Sequence, residues 1–184
     1  MQVRQGGRYS AVAMLLHWLI AIAVIVNWRL AESAHEGPRE AGASLMATHK
    51  AIGMTILLLT VLRLIWRLAH PSVVRTPDLK VWERVLAKTV HVTFYVLLIG
   101  LPLLGWTASS SFGKPVDWFG VFQIPALPVA HNERTGETLF DIHHTLGGAM
   151  VWLIALHVAG ALKHTVIDRD GTLWRMLPFG TPRA

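Results

Sequence analysis

The chain has 184 residues, of which 53% are hydrophobic and only 15% are charged, and its mean hydropathy is +0.44. Soluble domains carry about 25% charged residues, so this composition predicts a membrane protein. The chain has no cysteine, which excludes disulfides, thiolate metal sites, c-type haem and iron–sulfur clusters. The net charge of +6 would suit nucleic acid, but the basic residues are distributed as in a membrane protein, so we expect no nucleic-acid partner.

Four apolar segments are each long enough to cross a bilayer, which takes about 20 helical residues. In chain order they cover approximately residues 11–30, 46–68, 85–107 and 141–166. A long loop, residues 108–140, separates the third segment from the fourth and is too rich in turn residues to read as a separate domain. The sequence therefore predicts an all-α fold, an integral membrane four-helix bundle that the whole chain forms as a single membrane domain.

The lysines and arginines are divided unevenly between the two ends of this bundle. Twelve belong to the end that carries both termini, and five belong to the other end. The positive-inside rule then places both termini in the cytoplasm and the two remaining loops in the periplasm. We therefore expect a multi-pass protein of the bacterial inner membrane, in contact with membrane lipid.

Seven of the ten histidines lie within the predicted spans, where an ionisable side chain is costly and usually functional. A single such histidine could form a helix–helix hydrogen bond, but seven in four helices are hard to explain in that way. They are His17, His49, His91, His143, His144, His157 and His164.

Helix periodicity and depth in the membrane arrange four of these histidines in two pairs. His143 and His157 are fourteen residues apart, so they lie within about 40° of one helix face and roughly 21 Å apart along it. Matching depths from the membrane surfaces then pairs His157 with His17, and His143 with His49. His144 points about 100° away from this face, so we prefer His143, and the role of His144 stays open.

Two imidazoles on facing helices, with no acidic residue beside them, suit bis-histidine haem b. Zinc would need more ligands, and a di-iron site or a proton relay would need carboxylates that the span interiors almost entirely lack. Gly53, Gly147 and Gly148 follow the histidines by one turn. These glycines either leave room for a flat macrocycle or allow close helix packing.

The four spans contain "LLHWLIA", "THKAIGMTIL" followed by "RLIWRL", "VHVTFYVLLIGLPLLGW" and "HHTLGGAMVWLIALHVAGALKH". Over nearly the whole chain, these segments resemble the bacterial cytochrome b561 family of di-haem membrane cytochromes. The resemblance implies two haem b groups, with one iron held by His17 and His157 and the other by His49 and His143.

A third and shallower pair, His91 with His164, lies near the predicted cytoplasmic surface. The resemblance places the matching positions at a quinone site. It implies that the chain carries electrons between a periplasmic donor and membrane quinone, with ubiquinone as the substrate. Superoxide is the candidate donor, which would make the chain a superoxide:ubiquinone oxidoreductase.

Two other functions compete with this prediction. The chain could be a cytochrome b anchor subunit that links a periplasmic dehydrogenase or hydrogenase to the quinone pool, with the periplasmic loops as its docking surface. A metal transporter is disfavoured by the missing carboxylates. The predicted periplasmic side has seven acidic residues against five basic ones, so attraction of an anion there must be local, at Lys50, Lys114 and Arg134.

Overall fold

The computed structural model describes residues 8–71 and 80–179. Most of these residues belong to four long helices, and each helix is long and apolar enough to cross a membrane. The helices are α1 (Ala11–Glu36), α2 (Arg39–Ala69), α3 (Val81–Ser111) and α4 (Glu133–Lys163). The predicted all-α architecture of four apolar helices is confirmed.

The helices are longer than the predicted spans because polar turns at their ends are also helical. α2 begins at Arg39 and α4 at Glu133, well before the apolar residues that marked each span. Asn132 caps α4 by accepting a hydrogen bond from the Thr135 amide at 3.1 Å. Such a cap satisfies backbone donors at the start of a helix, so the helix continues beyond the apolar segment.

Each helix packs against the next one in sequence: α1 along α2, α2 against α3, and α3 along α4. Among the described residues, neither α1 nor α2 packs closely along α4. Few side chains are fully buried, and large apolar ones such as Leu15, Leu58 and Trp152 face outward. An outward apolar surface of this kind suits contact with lipid.

A two-stranded hairpin covers one end of the bundle, which we call the hairpin end. β1 (Val116–Trp118) pairs antiparallel with β2 (Phe122–Ile124). Phe119 and Gly120 form the turn with positive φ angles of 54° and 73°, as a tight hairpin requires. The Trp118 indole donates a hydrogen bond to the Thr55 hydroxyl of α2 at 3.1 Å, which fixes the hairpin on the bundle.

The two described chain ends meet at the opposite end, which we call the termini end. After α4, a π-helical turn (His164–Asp168) and a 3₁₀ turn (Leu173–Arg175) carry the chain back to the start of α1. There the Trp18 indole donates to the Met176 carbonyl at 2.8 Å. Which compartment this end faces stays a prediction, and three basic residues counted for it, Arg4, Arg75 and Arg183, lie outside the described residues.

Candidate functional site

His49 of α2 and His143 of α4 face each other near the hairpin end. Their ring centres are 6.0 Å apart and the ring planes cross at 84°. The Nδ1 of His49 is 3.0 Å from the Asn27 carbonyl oxygen, and the Nδ1 of His143 is 2.9 Å from the Leu101 carbonyl oxygen. Because a carbonyl only accepts, both Nδ1 atoms donate, which fixes the rings and leaves each neutral Nε2 able to bind a metal.

His17 of α1 and His157 of α4 face each other nearer the termini end. Their ring centres are 6.2 Å apart and the planes cross at 70°. His157 also contacts Phe94, at 5.3 Å between ring centres. Within the described residues, neither imidazole of this pair makes a hydrogen bond, so their nitrogens lack polar partners from the protein.

Both pairs have the separation that a shared iron atom requires. A bond from a metal to an imidazole nitrogen is about 2 Å long, and a ring centre lies about 1 Å beyond its nitrogen. Two imidazoles on opposite sides of one metal ion therefore have ring centres about 6 Å apart. The observed 6.0 Å and 6.2 Å fit bis-histidine ligation of haem at both levels of the bundle.

Glycines keep space open beside the histidines. A Cβ atom added at Gly147 or Gly148 would meet no heavy atom within 4 Å in the described part of the chain, outside its own helix backbone. Gly147 is half-buried and lies one turn after His143 on the same face of α4, so its open space fits a macrocycle, whereas Gly148 is exposed and lies one turn after His144, on the face that points away from the pair. Gly105 has a different role, because a Cβ there would lie 3.3 Å from Cε1 of His143.

Two neighbouring histidines of α4, His143 and His144, differ in their surroundings. His143 is half-buried and contacts His49, whereas His144 is exposed. This arrangement supports the preference for His143 as the partner of His49.

The predicted pair His91 and His164 has two different sets of neighbours. The His91 ring lies 5.6 Å from that of His157, and its Nδ1 donates to the Ala87 carbonyl at 2.6 Å. His164 instead points its Nδ1 at carboxylates, 2.8 Å from Asp170 and 2.9 Å from Asp168. Both histidines belong to the termini end, and their joint role at a quinone site stays a prediction.

The carboxylates around His164 belong to a larger ionic cluster that the sequence did not reveal. Lys163 contacts both Glu83 of α3 and, at 2.7 Å, Asp168. Burial acts to raise the pKa of the Asp170 carboxyl, but hydrogen bonds from Thr172 and the charge of His164 outweigh burial and hold this pKa below its usual value. Asp168 and Asp170 follow the end of α4 and are not part of a periodic sequence pattern. Their common contact with His164 is therefore visible only in the folded turn.

Two arginines of α2 add positive charge beside the pair nearer the termini end. Arg63 donates to the Ala13 carbonyl at 2.6 Å and lies close enough to His17 for their charges to interact. Arg67 lies 5.8 Å from the centre of the Tyr95 ring. Cations in this position suit the carboxylate groups of a bound haem.

A family model described as Prokaryotic cytochrome b561 matches residues 8–179. The chain belongs to this family. It is 32% identical over 175 residues to "Cytochrome b561 homolog 2" of Escherichia coli (strain K12), which covers 92% of this chain and 91% of that protein. It is 30% identical over 171 residues to "Probable superoxide oxidase CybB" of Yersinia pestis, which covers 93% and 96%. The resemblance predicted from the sequence is confirmed.

Membership of the cytochrome b561 family implies haem b as the cofactor. It also agrees with the four apolar helices, so the chain is a multi-pass protein of a prokaryotic membrane. The two facing histidine pairs have a separation that fits a haem iron held from both sides, and they are our candidate ligands.

Removing one histidine of each pair tests the candidate ligands. We expect His17→Ala and His49→Ala each to lower the haem content by half, because each iron loses one of its two axial bonds. The measurement is the ratio of haem to protein in the purified variants, read together with the spectrum of the reduced protein.

His144→Ala is the matched control, since it removes the imidazole next to His143 that faces away from the pair. It should retain the full haem content. Haem content that is unchanged in both His17→Ala and His49→Ala would refute the assignment.

Gly105 should be needed for the position of His143. Gly105→Val places a Cβ about 3 Å from the His143 ring, which is held by its bond to the Leu101 carbonyl. We expect loss or distortion of the haem at the hairpin end, seen as a changed low-spin electron paramagnetic resonance signal. Gly100→Val makes the same change in the same helix, where an added Cβ would meet no heavy atom of the described residues within 4 Å outside its own stretch of helix, so it should leave both signals intact. Equal effects of the two variants would contradict the steric explanation.

Proposed function

We propose that this chain is a di-haem b cytochrome that carries electrons from a donor at its hairpin end to quinone at its termini end. The observation that supports this most directly is the presence of two facing histidine pairs at two levels of one bundle. The fourteen residues between His143 and His157 correspond to roughly 21 Å along α4, which is most of the thickness of a bilayer core. Two redox centres at these levels would connect the two membrane surfaces.

The paired histidines would determine the chemistry of the bound haem groups. Haem b supplies one-electron oxidation and reduction when it is bound. His17 with His157, and His49 with His143, would hold the two haem irons from both sides, and haem held in this way would favour electron transfer over oxygen binding. The bonds from His49 and His143 to backbone carbonyls hold those rings in one orientation.

Superoxide is the donor that we propose. A relative of similar length is named a probable superoxide oxidase. Lys50 and Lys114 lie close enough at the hairpin end for their charges to interact, and neither has an acidic partner among the described residues. Such a local positive site attracts a small anion even where acidic residues are in excess. Two superoxide ions would each give one electron and become oxygen, while one ubiquinone takes two electrons and two protons to become ubiquinol.

An anchor subunit that serves a periplasmic redox protein is the second candidate. The tip of the hairpin supports it, because Phe119, Val121 and Phe122 are exposed there, Val121 to 72%. Exposed apolar residues outside the spans can form a docking surface. Fast haem reduction by superoxide in the isolated protein supports the first function, and co-purification of a redox protein with slow reduction by superoxide supports the second.

Charge at the hairpin end should control reduction by superoxide. Lys114→Glu places a negative charge beside Lys50 and cancels the local attraction, so we expect the second-order rate of haem reduction to fall at least about twofold and its dependence on salt to weaken. Stopped-flow absorbance at several ionic strengths measures both. Lys88→Glu makes the same change of charge at the other end and should leave this rate unaltered. An equal decrease in both variants would show that net charge, and not a local site, is responsible.

His164 should act at the quinone end only. We expect His164→Ala to keep both haems and normal reduction by the donor, but to slow oxidation of the reduced protein by added ubiquinone at least about tenfold, because a positioned proton donor is lost. His144→Ala again serves as the control. Unaltered quinone kinetics in His164→Ala would remove His164 from the quinone site.

A further inference from the structure

The turn that follows α4 brings a carboxylate back to the ring of His164. The helix widens to a π-helical turn over His164–Asp168, and Arg169 then takes a left-handed conformation with a φ angle of 54°. The Asp170 amide donates to the His164 carbonyl at 3.2 Å, which fixes the two residues relative to each other. As a result, Asp170 Oδ2 lies 2.8 Å from His164 Nδ1.

Both oxygens of the Asp170 carboxylate accept hydrogen bonds. Oδ2 faces Nδ1 of His164, and Oδ1 accepts from the Thr172 amide at 2.9 Å. The side chains of Asp170 and His164 are only 13% and 17% exposed, so water screens their interaction weakly. A second carboxylate, Asp168, reaches the same Nδ1 at 2.9 Å.

These contacts leave one role for each nitrogen of the His164 ring. Nδ1 carries a hydrogen, because its partners are carboxylate oxygens that only accept. In a protonated ring, Nε2 carries the second hydrogen and is the atom left to meet a ligand. The two carboxylates attract the positive charge of such a ring. Lys163 contacts the same oxygen of Asp168, Oδ2, at 2.7 Å, so this carboxylate oxygen is shared between Lys163 and His164.

We propose that Asp170, assisted by Asp168, is a positioning residue that holds His164 as the donor of a proton from Nε2 to a quinone oxygen. This inference rests on the proposed quinone site. In the step, the N–H bond at Nε2 breaks and an O–H bond forms on the quinone oxygen, while the electrons come from the reduced haem. After the step, the neutral ring still carries a hydrogen on Nδ1, which remains hydrogen-bonded to Asp170. Its Nε2 then takes up a new proton from water at the termini end.

Asp170→Asn is the sharpest test, because it preserves shape and removes charge. An amide has one oxygen and one NH₂ group, so it cannot accept from both His164 and the Thr172 amide. If its NH₂ group faces His164, Nδ1 becomes an acceptor and the neutral ring still has a hydrogen on Nε2. Quinone binding should then persist while proton donation is weakened.

The measurement is steady-state ubiquinone reduction by the intact protein containing both haems. We expect Asp170→Asn to lower kcat at least about tenfold with KM changed less than twofold, since only proton donation is affected. The reduced haem spectrum and the rate of haem reduction by the donor should match the wild type. Glu83→Gln is the matched control: it changes a carboxylate to an amide in the same ionic cluster without contact to His164, and its kcat should stay within twofold.

Several outcomes would overturn the proposal: an unchanged kcat in Asp170→Asn, a rise in KM with kcat preserved, or an equal loss in Glu83→Gln. If Asp170→Asn loses haem, Asp168→Asn takes its place, and it should also lower kcat because its oxygen faces the same Nδ1. His164→Ala separates this inference from the proposed function. A slow His164→Ala with a normal Asp170→Asn defeats only the role of Asp170, whereas a normal His164→Ala defeats the quinone site and this inference together.

Discussion

An imidazole inside a lipid bilayer needs a polar partner, because no water is present to provide one. This constraint explains the arrangement of the bundle. At the hairpin end, the backbone carbonyls of Asn27 and Leu101 each accept a hydrogen bond from Nδ1 of one histidine, and the other nitrogen of each ring has no hydrogen-bond partner among the described residues. Nearer the termini end, His17 and His157 have no hydrogen bond from the described residues at all. Four half-buried imidazoles with nitrogens to spare are costly unless a bound metal uses them.

The same requirement accounts for the loose packing around α4. A bundle stabilised by its own side chains would bring α1 and α2 close to α4, but among the described residues the extensive helix–helix contacts join α1 to α2, α2 to α3 and α3 to α4. The open space beside Gly147 lies one turn after His143, on the helix that supplies both His143 and His157. In lipid, apolar side chains gain little by turning inward, so helix association depends on specific packing and polar bonds. A ligand bound between the helices then contributes to the fold as well as to the chemistry.

The sequence predicted the parts of this structure that follow from periodicity and length. Apolar runs located the four helices, and the fourteen-residue step from His143 to His157 led to the pairing of His17 with His157 and of His49 with His143, whose rings face each other in the structure. It did not predict the hairpin, since "VDWFGVFQI" alternates weakly and Phe119 occupies a positive φ that gives no clear signal. It also missed the contact of Gly105 with His143, because which glycine faces a ring depends on the rotation of one helix against another. The position of the carboxylates at His164 depends on the left-handed conformation of Arg169, after the end of α4. Apolar periodicity does not predict such a conformation.

Basic residues at the termini end both orient the protein in the membrane and make specific contacts within the bundle. A count of these residues in the sequence does not distinguish the two roles. Positive residues near the ends of spans set the orientation of a membrane protein. In the folded chain, however, Arg63 donates a hydrogen bond to the Ala13 carbonyl near His17, and Lys163 forms ion pairs with both Glu83 and Asp168. These cations are tied to named partners in the bundle and are not a diffuse surface layer. A substitution at either position would therefore disturb the environment of a histidine even if the orientation of the helices were preserved. Asp168 and Asp170 show the complementary case, because these two acids at a predominantly basic end both face Nδ1 of His164 and fix the orientation of its ring.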